Sequence, residues 1–464
     1  MLEMIVRAVM EPHPPVAVKE IGRGEEKKIE KTLASYHEAS KFIAACHPDT
    51  VIITSPHATM YSDYFMISSG KRAYGDFANY HAPQVSFDIP YDEELTCELN
   101  AYLKRINFPG GTEYDRDRML DQGTMVPLYF LLQEMPHVRI VRIGISGLPL
   151  TKHYELGMHI AAVAEKLGRR IAWIASGDLA HCEKEDGPYG YHPEGPQYDQ
   201  RIMKDMGKAE FMNLLAYDPA FLEKAMECGH RSFCILAGAL DRTAVTSKVL
   251  SHEATLGVGY GFVEYTANGK DDSRNFLDQF REKEEQKIEA QKKKEDPYVQ
   301  LARRSLETYI REHHRIHVPE DLPAEMLQQK AGVFVSIHEN GELRGCIGTI
   351  CPTQMNIAAE IIANAISAST RDPRFTPIEE KELPYLHISA DVLGEIENIS
   401  SPKELDVRRY GVICSKGDRR GLLLPNLEGV DTVEEQIRIA CHKGDIDPEE
   451  EGIQMQRFEV VRHV

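Results

Sequence analysis

Three histidines in this sequence fall just past short apolar runs. His13 lies in Glu11-Pro12-His13-Pro14-Pro15, after the run Met4–Val9; His57 lies in Ser55-Pro56-His57-Ala58, after Val51–Thr54. His181 follows Ile171–Ala175 and the turn residues Ser176-Gly177, with Asp178 just ahead of it. Imidazole is the commonest metal ligand and titrates near neutrality, so these residues are candidate ligands or candidate acid–base groups. Two imidazoles and one carboxylate form a facial set that leaves positions open for substrate and oxygen, which suits non-haem Fe(II). Zinc accepts similar donors. The chain has 19 histidines, so each of these, taken alone, is expected to be a surface or capping residue. The case depends on the loops converging, and the prolines beside His13 and His57 already stiffen two of them.

The apolar runs are too short for helices and read as buried strands. In open α/β sheets, ligands collect beyond the carboxyl ends of strands, which is where all three histidines would stand. Helical spacing recurs between the runs, at Glu25–Cys46, Glu93–Ile106, Val126–Gln133, Thr151–Leu167, Gln197–Ala216, Asp218–Glu227 and Arg231–Leu240. Val138–Ile145 is a further strand, and Ser251–Thr266 reads as a closing one. Strands alternating with helices predict an α/β domain. Gly257, Gly259 and Gly261 do not form a dinucleotide fingerprint, because no helix pattern follows them.

From Asp271 to Asp296 the composition shifts, and Glu282–Lys294 is nearly all Glu, Lys and Gln. Such a stretch reads as a solvated helix or linker. The expected organisation is a first domain over 1–268, a charged linker over 269–296 and a second domain over 297–464. The second domain mixes hairpins with helices, which predicts an α+β fold. Gly332–His338 and Leu343–Ile350 flank Glu339-Asn340-Gly341, and Asn-Gly is the strongest short hairpin signal. Gly411–Cys414 and Gly421–Leu424 flank a second turn. Met355–Ser369 and Thr432–His442 read as helices, with Thr432 as a cap. Leu386–Val392 and Gln454–Val461 read as strands.

Composition narrows the function. The 464 residues carry a formal charge of -19, which argues against a nucleic-acid partner held by phosphate contacts. The nine cysteines include no C-x-x-C pair, which suits a reducing, cytoplasmic setting. The charged start of the chain and the lack of any long apolar run predict no signal peptide and no membrane span. Oligomeric state is left open.

The motifs carry two resemblances. His13-Pro14-Pro15, Ser55-Pro56-His57-Ala58, Ser176–His181 and Glu227-Cys228-Gly229-His230-Arg231 make residues 1 to about 268 resemble the LigB-like class III extradiol dioxygenases, a superfamily that includes the Memo proteins. The resemblance implies that His13 and His57 bind Fe(II), with zinc or copper as alternatives, and that His181 moves protons. It implies a small aromatic diol or related ring as substrate. For the third ligand, Glu227 fits the dioxygenase pattern and Cys228 fits the cysteine of the Memo proteins; Glu227 is the expected donor. A thiolate there would favour a softer metal. Asp178 is expected to orient a histidine or contact substrate.

From about residue 297 onward the chain resembles the AMMECR family, on Leu343-Arg344-Gly345-Cys346-Ile347-Gly348, Asp372-Pro373-Arg374-Phe375 and Gly421–Pro425. Arg344 and Cys346 are candidates for anion binding or nucleophilic chemistry; the plainer expectation for Cys346 is a small buried apolar residue beside two strand-bending glycines. The pair of resemblances also implies a radical-SAM partner. That implies an alternative role, a metal-binding assembly or substrate-binding component for that partner rather than a dioxygenase.

Overall fold

The apolar runs form the parallel part of a six-stranded sheet: β1 (Ile5–Glu11), β2 (Thr50–Ser55), β3 (Ile140–Gly144) and β4 (Ile171–Ser176). The antiparallel strands β5 (Thr243–Glu253) and β6 (Tyr260–Lys270) complete it, in the order β3-β2-β4-β1-β6-β5. The structure is a computed structural model and describes residues 5–116, 119–339, 341–427, 429–450 and 452–464. It divides into two units, which meet along the chain between Glu282 and Lys283.

Every residue of β2 and β4 is buried, because both faces of the sheet are covered; this is why Val51–Ile53 and Ile171–Ala175 are continuously apolar. Successive side chains go to opposite layers. Ile52, Trp173 and Ala175 pack with the helices Glu93–Arg105, Leu150–Leu167 and His230–Ala239. Val51, Ile53, Ala172 and Ile174 pack with the helices Glu30–Ala44 and Gln122–Glu134. The first unit is therefore an α/β fold with helices on both faces.

The single closing strand expected over Ser251–Thr266 is two strands, β5 and β6, joined by a turn in which Gly257 takes φ +84°. β5 lies at the sheet edge and is largely half-buried or exposed, so it carries little of the apolar pattern that marks a strand. The charged stretch is helical over Phe276–Lys292, with Leu277 and Phe280 buried at its start.

The second unit is α+β. Its antiparallel sheet contains β7 (Val333–Glu339), β8 (Glu342–Gly348), β9 (Leu386–Leu393), β10 (Glu397–Ile399), β11 (Tyr410–Lys416), β12 (Arg419–Leu423) and β13 (Gln454–His463). The order is β8-β7-β9-β13-β11-β12, with β10 also beside β13. In the first hairpin turn Asn340 lies outside the described residues and Gly341 takes φ +84°. The helices Pro297–Glu312 and Ile357–Thr370 form a core with the apolar face of β7 and β9. Thr432 caps the helix Val433–Lys443, its hydroxyl accepting the Glu435 N–H at 3.2 Å.

Candidate metal centre

β2, β4 and β1 are parallel neighbours, so their carboxyl ends open on one edge. His13, His57 and Asp178 each stand just past one of those ends. Loops far apart in sequence meet there. His13 Nε2 and His57 Nε2 are 2.9 Å apart, and Cys228 Sγ lies 3.7 Å from His13 Nε2. The donor atoms of His13, His57 and Cys228 all fall within 4.8 Å of one another, and so do those of Asp178, His181 and Cys228. The thiol is common to both groups.

Cys228 arrives by a backbone contact. It precedes the helix His230–Ala239, whose N-terminal end packs against the loop after β4. A Cβ on Gly177 would stand 2.2 Å from the Gly229 Cα, so the two loops touch only because neither residue has a side chain. The Gly229 N–H donates to the Asp178 carbonyl at 3.1 Å and fastens them.

The hydrogen bonds around His13 fix its tautomer. The Ser176 hydroxyl donates to the Gly123 carbonyl at 2.6 Å, which uses its only proton. Its 2.9 Å contact with His13 Nδ1 must then be Nδ1–H donating to Ser176 Oγ. Nε2 is left with a bare lone pair aimed at His57 and Cys228. A ligand imidazole is normally oriented through its other ring nitrogen in this way. Asp178 Oδ1 accepts the His13 backbone N–H at 2.8 Å, and Tyr36 donates to the Pro12 carbonyl at 2.6 Å, so the loop is held on both sides.

Burial pushes His13 down to about 4; His57 adds to the shift and Asp178 opposes it. The imidazole is therefore neutral and basic at neutral pH. Burial, with the Asp178 and Glu227 charges, pushes the Cys228 thiol well up. Burial also raises Glu11 to about 8. His13 is fully buried, whereas His57 is exposed, so the site opens to solvent on the His57 side. Gln122 Nε2 lies 3.4 Å from His57 Nε2 on that side.

The donors fit a single metal ion. Two nitrogens bound at about 2.0–2.1 Å stand about 2.9–3.4 Å apart, and a thiolate at about 2.3 Å stands about 3.1–3.6 Å from either. The observed 2.9 and 3.7 Å approach those spacings.

Glu227 belongs to neither donor group. Its Oε2 accepts the His230 backbone N–H at 2.6 Å, which caps the following helix. Burial raises it to about 7, while the His230 N–H pulls the other way. Glu227 thus stands apart from the two donor groups, its carboxylate held at the helix start, while Cys228, one residue on, lies against His13. His181 Nδ1 bonds the Met226 carbonyl and must donate to it, so its Nε2 is free to take a proton. The Tyr189 ring stands edge-on to His181 at 5.3 Å between centroids.

Gly123 was not singled out in the sequence, and Ser176 was read only as a turn residue opening the Ser176–His181 motif. A Cβ on Gly123 would lie 2.3 Å from Ser55 Oγ and 3.5 Å from His13 Nδ1. The only signal for Ser176 was its place directly after a buried strand. In the second unit, Arg344 Nε bonds Glu382 Oε1 at 2.8 Å and its Nη1 bonds the Thr376 carbonyl at 2.8 Å. Cys346 is half-buried and opposite Ser336.

The description "Catalytic LigB subunit of aromatic ring-opening dioxygenase" matches residues 7–263, and AMMECR1 matches residues 299–463. The chain belongs to the LigB family through its first unit and carries an AMMECR1 domain in its second. A protein of Clostridium acetobutylicum is 42% identical over 461 residues, 97% of each chain, and so shares both parts. A protein of Thermotoga maritima is 48% identical over 170 residues, 36% of this chain and 98% of its own. Among solved structures, an uncharacterized protein from Pyrococcus horikoshii is 32% identical over 36% of this chain and 88% of its own, with a TM-score of 0.34. Among the described residues no helix is long and apolar enough to cross a membrane.

Proposed function

We propose that the first unit is a mononuclear metal-dependent oxidoreductase acting on an aromatic diol or a related ring, with His13, His57 and Cys228 as its protein ligands. The observation that carries this reading is the convergence of His13 Nε2, His57 Nε2 and Cys228 Sγ, with the His13 lone pair turned inward by Ser176. A redox-active ion bound there supplies the electron transfer that lets dioxygen react with a closed-shell ring. His181 takes a substrate hydroxyl proton on Nε2 while its Nδ1 stays anchored to the Met226 carbonyl. Asp178 braces the His13 loop and lies beside His181. Two imidazoles and a soft thiolate suit copper or zinc as well as Fe(II).

The thiolate also favours a second reading, in which the centre is structural or redox-sensing and the protein serves as a binding component for a radical-SAM partner. One experiment separates the two. The protein is purified without oxygen, its iron, copper and zinc are measured beside H13A, H57A, C228S and E227Q, and oxygen uptake is followed with a panel of catechols. Metal lost in the first three and kept in E227Q is the expected result; metal kept in C228S and lost in E227Q overturns the donor set. Absence of uptake with every reconstituted metal overturns the oxidoreductase reading and leaves the second.

A further inference from the structure

The helix Pro297–Glu312 buries Val299, Ala302 and Leu306 in the core of the second unit. Beside that face Arg304, Thr308 and Arg311 recur at helical spacing and so share one stripe. An open cleft of about 410 Å³ runs along it, within the range of small-molecule sites. The chain carries a formal charge of -19, yet four cations line this cleft, Lys292, Arg303, Arg304 and Arg311, against two carboxylates, Glu295 and Glu307.

The carboxylates are already taken. Arg303 holds Glu295 through Nε at 2.9 Å, and Arg311 holds Glu307 at 3.0 Å. Outside the lining, Glu289 pairs with Lys292 at 2.8 Å, and Glu380 lies 3.6 Å from Arg311. Donors, by contrast, are left over. Arg303 is 8% exposed, and its Nη2 bonds the Leu386 carbonyl at 3.0 Å. Its Nη1 is buried without a hydrogen-bond partner, with Glu307 Oε1 3.7 Å away. A guanidinium so deeply buried normally has its protons taken. Arg304 is exposed, and its side chain has no hydrogen bond or ion pair among the described residues. The Thr308 hydroxyl, about 6 Å further along the helix axis, has none either.

The cleft therefore offers spare donors and one uncompensated positive charge, and no spare carboxylate. Its ligand must bring acceptors and negative charge. A carboxylate has two oxygens in one plane and is satisfied by a single guanidinium fork. Donors from Arg303, Arg304 and Thr308 match the three terminal oxygens of a tetrahedral phosphate, which the arginine fork also fits.

We propose that this cleft binds the phosphate group of a small phosphate monoester, with Arg304 as its main charge partner and the Thr308 hydroxyl and Arg303 Nη1 as further donors.

The test uses the full chain, with inorganic phosphate, glycerol phosphate, acetate and dimethyl phosphate as probes, titrated by calorimetry at constant ionic strength. Far-UV circular dichroism checks that each variant is folded. The two phosphate dianions are expected to saturate one site per chain. Acetate and dimethyl phosphate, the latter a mimic of a nucleic-acid backbone, are expected to bind at least about tenfold more weakly. R304Q should weaken phosphate binding by about tenfold or more, and T308V by a smaller factor. R105Q, at an exposed arginine of the first unit, should leave it unchanged. Phosphate bound equally by R304Q, as an ion held at the metal centre would be, overturns the proposal. So does acetate or dimethyl phosphate binding as tightly as phosphate, or no saturable binding at all.

Discussion

Replacing Ser176 with alanine tests the centre without touching a ligand. The hydroxyl joins two buried groups, accepting from His13 Nδ1–H at 2.9 Å and donating to the Gly123 carbonyl at 2.6 Å. Alanine leaves both without a partner, at about 1–3 kcal/mol for each unsatisfied group. It also removes the reason for His13 to keep its proton on Nδ1. A neutral imidazole with the proton on Nε2 points a donor, not a lone pair, at the site. Loss of such an orienting partner lowers metal affinity about 10–100-fold, or about 1.4–2.7 kcal/mol. The assay is competition for Zn²⁺ against a chromophoric chelator at neutral pH, beside urea unfolding followed by fluorescence. The chain has one tryptophan, Trp173, fully buried in β4, so its emission reports the same strand that carries Ser176. A folded S176A protein that binds Zn²⁺ as tightly as the wild type would refute the assignment of the His13 tautomer.

Other predictions follow from the same geometry. G177A drives a methyl into the Gly229 Cα, so it should cost about 1–3 kcal/mol in urea unfolding and abolish Zn²⁺ binding; a variant with normal metal affinity would show that the loops need not touch. On the proposed donor set a metal displaces the Cys228 proton, so Zn²⁺ affinity should rise with pH by up to about tenfold per unit, and the slope should flatten in C228S. His153 is fully buried and burial lowers it to about 3, so the unfolded chain binds the extra proton as pH falls below the ordinary histidine range. Stability due to this group is therefore present above pH ~6.5 and lost as pH falls toward 3, at up to about 1.4 kcal/mol per unit. H153Q should show a shallower decline in apo-protein unfolding free energy across that window, and an unchanged slope would mean that His153 titrates normally.

Much of the fold was legible because it is written in local pattern. The runs before His57 and His181 are apolar on both faces, the run before His13 is broken by Arg7, and the three form adjacent parallel strands whose ends place those residues together. The helix cap at Thr432 and the turn at Gly341 were equally local. β5 was lost because an edge strand needs no apolar face. The hairpin Arg72–Pro90 was lost for a related reason, its first strand alternating between exposed and buried residues that include charge and glycine. Glu227 and Cys228 are adjacent, so the sequence left both as third-donor candidates; the contact of Cys228 with His13 and the bond of Glu227 to the His230 N–H depend on where the helix starts. Ser176 could not be recognised from sequence, since its role depends on Gly123 and His13 approaching it from distant parts of the chain.

The distance along the chain between His13 and Cys228, 215 positions, has a consequence for biosynthesis. At about 5–20 residues per second, a ribosome delivers the thiol about 10–40 s after the first imidazole. Until then the nascent polypeptide offers only an incomplete pair of nitrogens. A site built from all three donors therefore waits on synthesis past residue 228 and on the approach of the helix His230–Ala239 to the loop after β4.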